Sequence, residues 1–247
     1  LFISNSIGEH ILYWRDMTNL NNLTNLIKSG APKEDVNSNN GADYFDFRSM
    51  GESARNMIYT GRIQNFIDEV EKIIDSSEKI NVLDMGGGSG IIAIEIARAF
   101  PNAHALIFDQ KNVIPITKEN ILKYGVEERV GTKEGNFVTD DIGSNYDLII
   151  ASGVMDFAGD LNIMAAKLYS ALKSNGYLIV TTHGINDDYT FPAHTILGWL
   201  SSRLNGLDIL KTDRAICESF YNNGFIEAKE SRGGFHLLQK KERKKWM

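Results

Sequence analysis

The chain contains one cysteine, Cys217, so no disulfide can close within it and a metal cluster built on several cysteines is excluded. No apolar stretch approaches the ~18 residues that a membrane-spanning helix requires. The start lacks the basic-then-apolar pattern of a signal peptide. Positive charge is in deficit: 26 Lys and Arg stand against 32 Asp and Glu, a formal net charge of −6. Nucleic-acid binders present a basic face, so this balance points away from a nucleic-acid partner. Internal repeats and long low-complexity segments are absent as well. A reducing, cytoplasmic setting is expected, with no membrane partner and no metal site. The chain opens on Leu1 rather than Met, and a fragment or processed product of a longer chain is expected.

What is present suffices for a real core. Of the 247 residues, 43% are hydrophobic and 23% charged, enough for one large domain or a domain with an added lobe. Residues 1–75 read as a helical N-terminal segment and residues 76–247 as the ligand-binding domain. Within the first, "EHILYWRDMTNLNNLTNLIKSG" has helical apolar spacing up to Gly30, and the polar "SGAPKEDVNSNNGAD" (Ser29–Asp43) reads as a loop. Met57, Ile58, Ile63, Phe66, Ile67, Val70 and Ile74 then recur at helical spacing, which predicts core packing.

From Ile80 onward strands and helices alternate. "INVLDM", "HALIFD", "RVGTKEGNF", "YDLIIAS" and "YLIVTTH" read as strands. "SGIIAIEIARAF", "VIPITKENILKYG" and "DLNIMAAKLYSALKSNG" read as the intervening helices, the last capped by Gly176. Continuous apolar strands separated by helices predict an α/β fold with a Rossmann-like, doubly wound, mainly parallel sheet covered on both faces. "GFIEAKES" and "GGFHLLQKK" fit a closing antiparallel pair that makes seven strands, and the basic tail Lys240–Lys245 reads as a solvated end.

"VLDMGGGSG", Val82 to Gly90, follows the first strand with four glycines in five positions. Ligands of doubly wound folds bind beyond the carboxyl ends of the strands, where glycines let the backbone approach and the next helix offers free N–H groups. Gly86, Gly88 and Gly90 give G-x-G-x-G, and Ile91 stands where a dinucleotide fingerprint needs its third glycine, which argues against NAD or FAD. No Lys followed by Ser or Thr completes the loop, so a P-loop is excluded. Asp109 ends the second strand, about 20 residues on, where an acid can accept hydrogen bonds from both ribose hydroxyls. Asn136 and Phe137 follow the third strand, a place where a polar group beside an aromatic ring frames a base.

With "VLDMGGGSG", Asp109, "GNF" and "YDLIIAS", the chain resembles a class I S-adenosylmethionine-dependent methyltransferase. "ILYWRDMTNLNNLTNLIKSGAP", "YFDFRSM" and "DRAICESFYNNGF" narrow the likeness to the small-molecule O-methyltransferases of the caffeate and hydroxyindole type. The resemblance implies S-adenosyl-L-methionine as cofactor, with its methionine moiety against Asp84, Gly86 and Gly88 and its ribose on Asp109. It places the adenine near Asn136 and Phe137, where the family carries Asp rather than Asn, and Ser152 along the cofactor. It further implies an N-terminal winged-helix domain of roughly 100 residues before Leu1, and with it a homodimer.

The methyl acceptor is expected to be a small aromatic or hydrophobic molecule lined by Phe47, Met50, Met155, Phe157 and Trp199, the last on a helix read over "TFPAHTILGWLSSRL". Methylation at oxygen requires a base, usually His. The family places that His just after the fourth strand, where this chain carries Met155, which takes no proton. His183, His194 and Asp156 are the remaining candidates. The alternatives are an S-, N- or C-methyltransferase that needs no histidine base, an RNA or protein methyltransferase, and a non-catalytic cofactor-binding homologue.

Overall fold

The computed structural model describes residues 23–30, 46–230 and 233–241. The expected helices before Leu23, most of the polar loop, and the tail beyond Lys241 lie outside the described residues, as do the side chains of Met57 and Ile58.

Seven strands form one sheet: β1 (Ile80–Met85), β2 (Ala103–Asp109), β3 (Val130–Glu134), β4 (Tyr146–Ser152), β5 (Leu172–Thr181), β6 (Phe225–Glu227) and β7 (Phe235–Lys240). Their order is β3-β2-β1-β4-β5-β7-β6. The first five are parallel neighbours, and β7 runs antiparallel to both β5 and β6. The sheet is thus mainly parallel and mixed at one side. The apolar runs explain the parallel part: Leu83 and Met85 of β1, Leu148 to Ile150 of β4 and Leu178 to Val180 of β5 are fully buried, as strands covered on both faces demand.

Two helical layers provide that cover. On one face α3 (Arg62–Val70), α4 (Ile91–Ala99) and α5 (Ile114–Tyr124) bury Phe66, Val70, Ile94, Ile96 and Ile121. On the other, α6 (Leu161–Ala171) and α9 (Asp213–Asn222) bury Met164, Leu168, Ile216 and Phe220. Before these come α1 (Leu23–Ser29) and α2 (Phe47–Ala54), the latter capped by Asp46, whose carboxylate accepts from the backbone N–H of Ser49 at 3.0 Å. A third, smaller core is drawn mainly from the stretch of chain that joins β5 to α9. It gathers Ile185, Trp199, Leu207, Ile209 and Leu210, with Phe47, Met50 and Phe157 against it.

Two sequence expectations need correction. Gly176 does not cap a helix: α6 ends at Ala171 and β5 begins at once with Leu172. Leu172 pairs with Tyr146, and the register then shifts so that Tyr177 pairs with Leu148. Asn175 (φ 61°) and Gly176, whose absent Cβ leaves room for the carbonyls of Lys173 and Asp147, absorb that irregularity. The lysine Nζ of residue 240 takes over the helix end, donating to the carbonyls of Tyr169 at 2.8 Å and Leu172 at 2.7 Å. The apolar helix expected over "TFPAHTILGWLSSRL" is likewise two short pieces, α7 (Ala193–Gly198) and α8 (Leu200–Leu204), broken at Trp199. Among the described residues no helix is long and apolar enough to cross a membrane.

Candidate functional site

Strand order reverses on either side of β1, and a cleft of about 980 Å³, counted out to its mouth, opens there beyond the carboxyl ends of β1, β2 and β4. Asp84, Gly86, Gly88, Asp109, Asn136, Phe137 and Ser152 all line it, and so do Phe47, Met50 and Phe157. Helix α2 covers it closely: a Cβ on Gly51 would stand 3.6 Å from the Cα of Gly88. Sequence reasoning missed Gly51, Gln110, Val113 and Val154 in the lining. Gln110 directly follows a strand end and Val154 comes two residues after one, a position that could have flagged both.

The glycine loop is held by its neighbours. Gly86 sits at φ 65°, its N–H donates to the carbonyl of Phe108 at 2.7 Å, and a Cβ there would meet Val154 Cγ1 at 2.4 Å. Only glycine fits. Gly90 does not line the cleft; it starts α4 at φ 75°, and a Cβ would strike Ile107 at 2.7 Å and Thr117 at 2.9 Å. Its glycine serves helix–strand packing. Thr117 and Asn120 of α5 fix the loop from behind, donating to the carbonyls of Gly88 at 2.7 Å and Ser89 at 2.8 Å.

Two buried carboxylates face this loop. Asp109 accepts the N–H of Gly88 on Oδ2 and its neighbour Gln110 on Oδ1, both at 2.7 Å. Burial pushes it up to about 6, against the pull of those two N–H groups. Asp84 is 1% exposed, and burial pushes it up to about 7; the N–H of Ala93 opposes the shift and the charge of Asp109 adds to it. Its Oδ2 has no hydrogen-bond partner among the described residues. A buried acceptor left open beside a cleft costs ~1–3 kcal/mol unless a ligand donates to it. A ligand with an ammonium group and paired hydroxyls matches this donor demand, so the residues present fit S-adenosylmethionine.

The 136–140 loop forms another wall. Asn136 Oδ1 accepts from the N–H of Val138 and its own N–H donates to Asp140 Oδ2, both at 2.9 Å. Lys167 of α6 ties the loop down, donating to the carbonyls of Phe137, Val138 and Asp140 at 2.7, 3.1 and 2.5 Å. Ser152 shares a hydrogen bond of 2.9 Å with Thr181.

The cleft turns apolar toward α2, where the rings of Phe47 and Phe157 meet edge to face at 5.3 Å. Trp199 does not line the cleft but packs behind these rings in the third core. Met155, expected beside the acceptor, is 1% exposed and belongs to the core under α6 and α9. The three candidate bases separate. His194 is exposed on α7 and apart from the lining. Asp156 and His183 also stand outside the lining but come together, Asp156 Oδ2 lying 2.8 Å from His183 Nδ1, and the His183 ring meets Trp199 at 5.6 Å.

The family described as the O-methyltransferase domain matches residues 21–200. The N,N-dimethyltransferase OxyT of Streptomyces rimosus is 30% identical over 139 residues, 56% of this chain and 39% of that protein. An O-methyltransferase family protein of Burkholderia thailandensis superposes with a TM-score of 0.71 at 19% identity, covering 96% of this chain and 71% of that one. Human N-acetylserotonin methyltransferase, solved in complex with SAM, gives 0.66 at 19% identity, with coverages of 90% and 66%. At these identities the two structures establish the shared fold. The chain spans less than half the length of the curated relatives it matches.

Proposed function

The chain belongs to the O-methyltransferase domain family, and on that footing we propose that it transfers a methyl group from S-adenosylmethionine, the methyl donor of this family, to the oxygen of a small aromatic or hydrophobic acceptor. The observation that carries this reading is the pair of buried acids, Asp84 and Asp109, facing a glycine loop in a cleft whose other end is apolar.

The bound sulfonium supplies a methyl carbon open to in-line displacement. The protein's share is placement, which can be worth many kcal/mol. Asp109 accepts from the ribose hydroxyls, and the open Oδ2 of Asp84 accepts from the ammonium of the methionine moiety. Asn136 and Phe137 frame the adenine. Phe47, Met50 and Phe157 flank the acceptor ring and hold its oxygen toward the methyl carbon.

For the acceptor's proton, His183 is the base supported best. With Nδ1–H donated to Asp156, the lone pair on Nε2 is left to take a proton. Lys211 N–H holds the other oxygen of Asp156 at 2.8 Å, so the carboxylate is fixed on both sides. Asp156 thereby positions the ring. His183 stands outside the cleft lining, against Trp199 behind the Phe47 and Phe157 rings, so this role requires an acceptor, or a movement of those rings, that bridges to it.

A second reading, transfer to nitrogen, sulfur or carbon without a base, is favoured by one specific observation. Met155 stands where the resemblance would place a His, and its side chain is in the core. A panel of phenols, thiols and amines, scored by release of the demethylated cofactor, separates the two. Turnover with phenols alone supports the first reading, turnover with amines or thiols alone supports the second, and NAD binding in place of S-adenosylmethionine overturns both. We further propose a homodimer in the cytoplasm, joined through N-terminal helices such as α1, on which Ile27 is 67% exposed.

A further inference from the structure

Three metal-capable side chains that take no part in the proposed methyl transfer meet where α9 packs on β7. Asp213 and Cys217 are four residues apart and share one face of α9. His236 enters from β7, opposite Val180 of β5. One ligand atom from each lies within 4.8 Å of the others. Cys217 Sγ is 3.4 Å from His236 Nδ1 and 3.6 Å from Nε2, and Nε2 is 2.8 Å from Asp213 Oδ1. Cys217 and His236 are buried, while Asp213 reaches a surface cleft of about 780 Å³.

We propose that Asp213, Cys217 and His236 form a binding site for a divalent transition-metal cation, with Zn²⁺ the best match. A single cysteine rules out a multi-cysteine cluster but not a mixed site. Thiolate, imidazole and carboxylate make the borderline donor set that selects Zn²⁺ over Mg²⁺ or Ca²⁺. Bonds of ~2.3 Å to sulfur and ~2.0 Å to nitrogen need Sγ on the lone-pair side of Nε2, and with Sγ nearly equidistant from both ring nitrogens the His236 ring turns to admit the ion. The 2.8 Å between His236 and Asp213 is a hydrogen-bond distance. Exchanging that proton for a cation opens it to ~3.3 Å.

The cleft, shared with Tyr221 and Glu227, leaves a fourth position for water. Supporting bonds orient the ligands, as metal sites require. The hydroxyl of Thr182 donates to Asp213 Oδ1, and the Asp213 N–H donates to the carbonyl of Ile185 at 2.8 Å. Binding converts the Cys217 thiol to thiolate and displaces the proton between His236 and Asp213. The cation needs the thiolate of buried Cys217, so protons compete with it. Arg214 and Asp187 also line the cleft, ion-paired to each other at 2.6 Å, and Tyr221 donates to Glu227 at 2.7 Å. Affinity therefore rises with pH.

The rival account is a hydrogen-bonded network that stitches α9 to β7 and takes no cation. Cobalt titration of the chelator-treated full chain decides between them. Because Cys217 is the sole cysteine, a thiolate-to-cobalt charge-transfer band in the near ultraviolet reports on this residue alone. We expect the band to saturate at one Co²⁺ per chain, to vanish on adding Zn²⁺, and to strengthen at higher pH with proton release. Cys217→Ser removes it, and His236→Asn weakens binding by about tenfold or more. Absence of the band in the wild-type chain at mildly alkaline pH overturns the proposal, whether or not the variants fold. An undiminished band in folded His236→Asn overturns it equally.

Discussion

The carboxylate of Asp156 lies 2.8 Å from Nδ1 of His183, a residue 27 positions further along the chain. Asp156 sits in a 3₁₀ turn after β4 with its side chain 2% exposed, and His183 follows β5 with 24% exposed. A buried acid holding a half-open imidazole leaves one ring nitrogen available for chemistry. Replacing His183 by Ala should lower turnover on an oxygen acceptor by ~10²-fold or more while cofactor affinity stays the same. Asp156→Asn should lower turnover by a smaller factor. Steady-state kinetics beside calorimetric titration of the cofactor checks both, and full turnover of His183→Ala would remove the base from this place.

Cofactor affinity should depend on pH with a definite sign. Asp84 and Asp109 stand at about 7 and about 6 in the folded chain, above the ordinary 3.8. The ligand-free folded state thus binds more protons than the unfolded state between those values, and its stability falls as pH rises from about 4 to about 7. A cationic head and donating hydroxyls favour the ionised acids. S-adenosylmethionine should therefore bind about tenfold tighter across the upper part of that window, with proton release. Calorimetry in buffers of different ionisation heat measures the protons; uptake instead of release would refute the assignment.

Gly86→Ala should both destabilise the protein and abolish cofactor binding. A left-handed backbone costs a side chain ~1–2 kcal/mol, and the added methyl would stand 2.4 Å from Val154 Cγ1. Combining it with Val154→Ala removes the collision and leaves the backbone cost, so Tm should recover in part. Thermal melts of the two single variants and the double variant test this, and strictly additive losses would count against the clash.

Lys167→Met should weaken cofactor binding several-fold without touching the cleft lining. The ammonium group holds three carbonyls of the 136–140 loop, at ~1 kcal/mol or more per charged hydrogen bond. Hydrogen exchange at Val138 and Thr139 should speed up in the variant. Unchanged exchange together with unchanged affinity would show that the loop stands unaided.

Much of the fold was legible because parallel strands buried on both faces need unbroken apolar runs, as "YDLIIAS" provides for β4 over Tyr146–Ser152. The start of β5 was not legible. "LKSNG" carries the polar, glycine-ended character of a helix terminus, and only pairing with Tyr146 and the shifted register make it strand. In the cleft lining, Gly86 and Gly88 were legible from their place after β1 and Asp109 from its place at the end of β2, while Asp84 came through the family resemblance. The placing of Met155 and Trp199 was not legible, because a 3₁₀ turn and a helix break decide which way those side chains face. The Asp156–His183 pairing is a long-range contact between two loops, and no local pattern encodes it.

The small third core around Trp199, Leu207 and Leu210 is a cluster of its own, joined through Phe157 to the layer under α6 and α9. Its members come mainly from the stretch between β5 and α9, and the glycine loop and its acids contribute nothing to it. A stretch that fills its own interior can exchange side chains, or lengthen, while the sheet beneath stays put. Under the proposed methyl transfer, selection on the acceptor could then proceed at one end of the cleft with the donor end left unaltered. On that reading, a few substitutions at Phe47 and Phe157, or at Trp199 packed behind them, would change the acceptor end alone, as a change of tool bit leaves the drill intact.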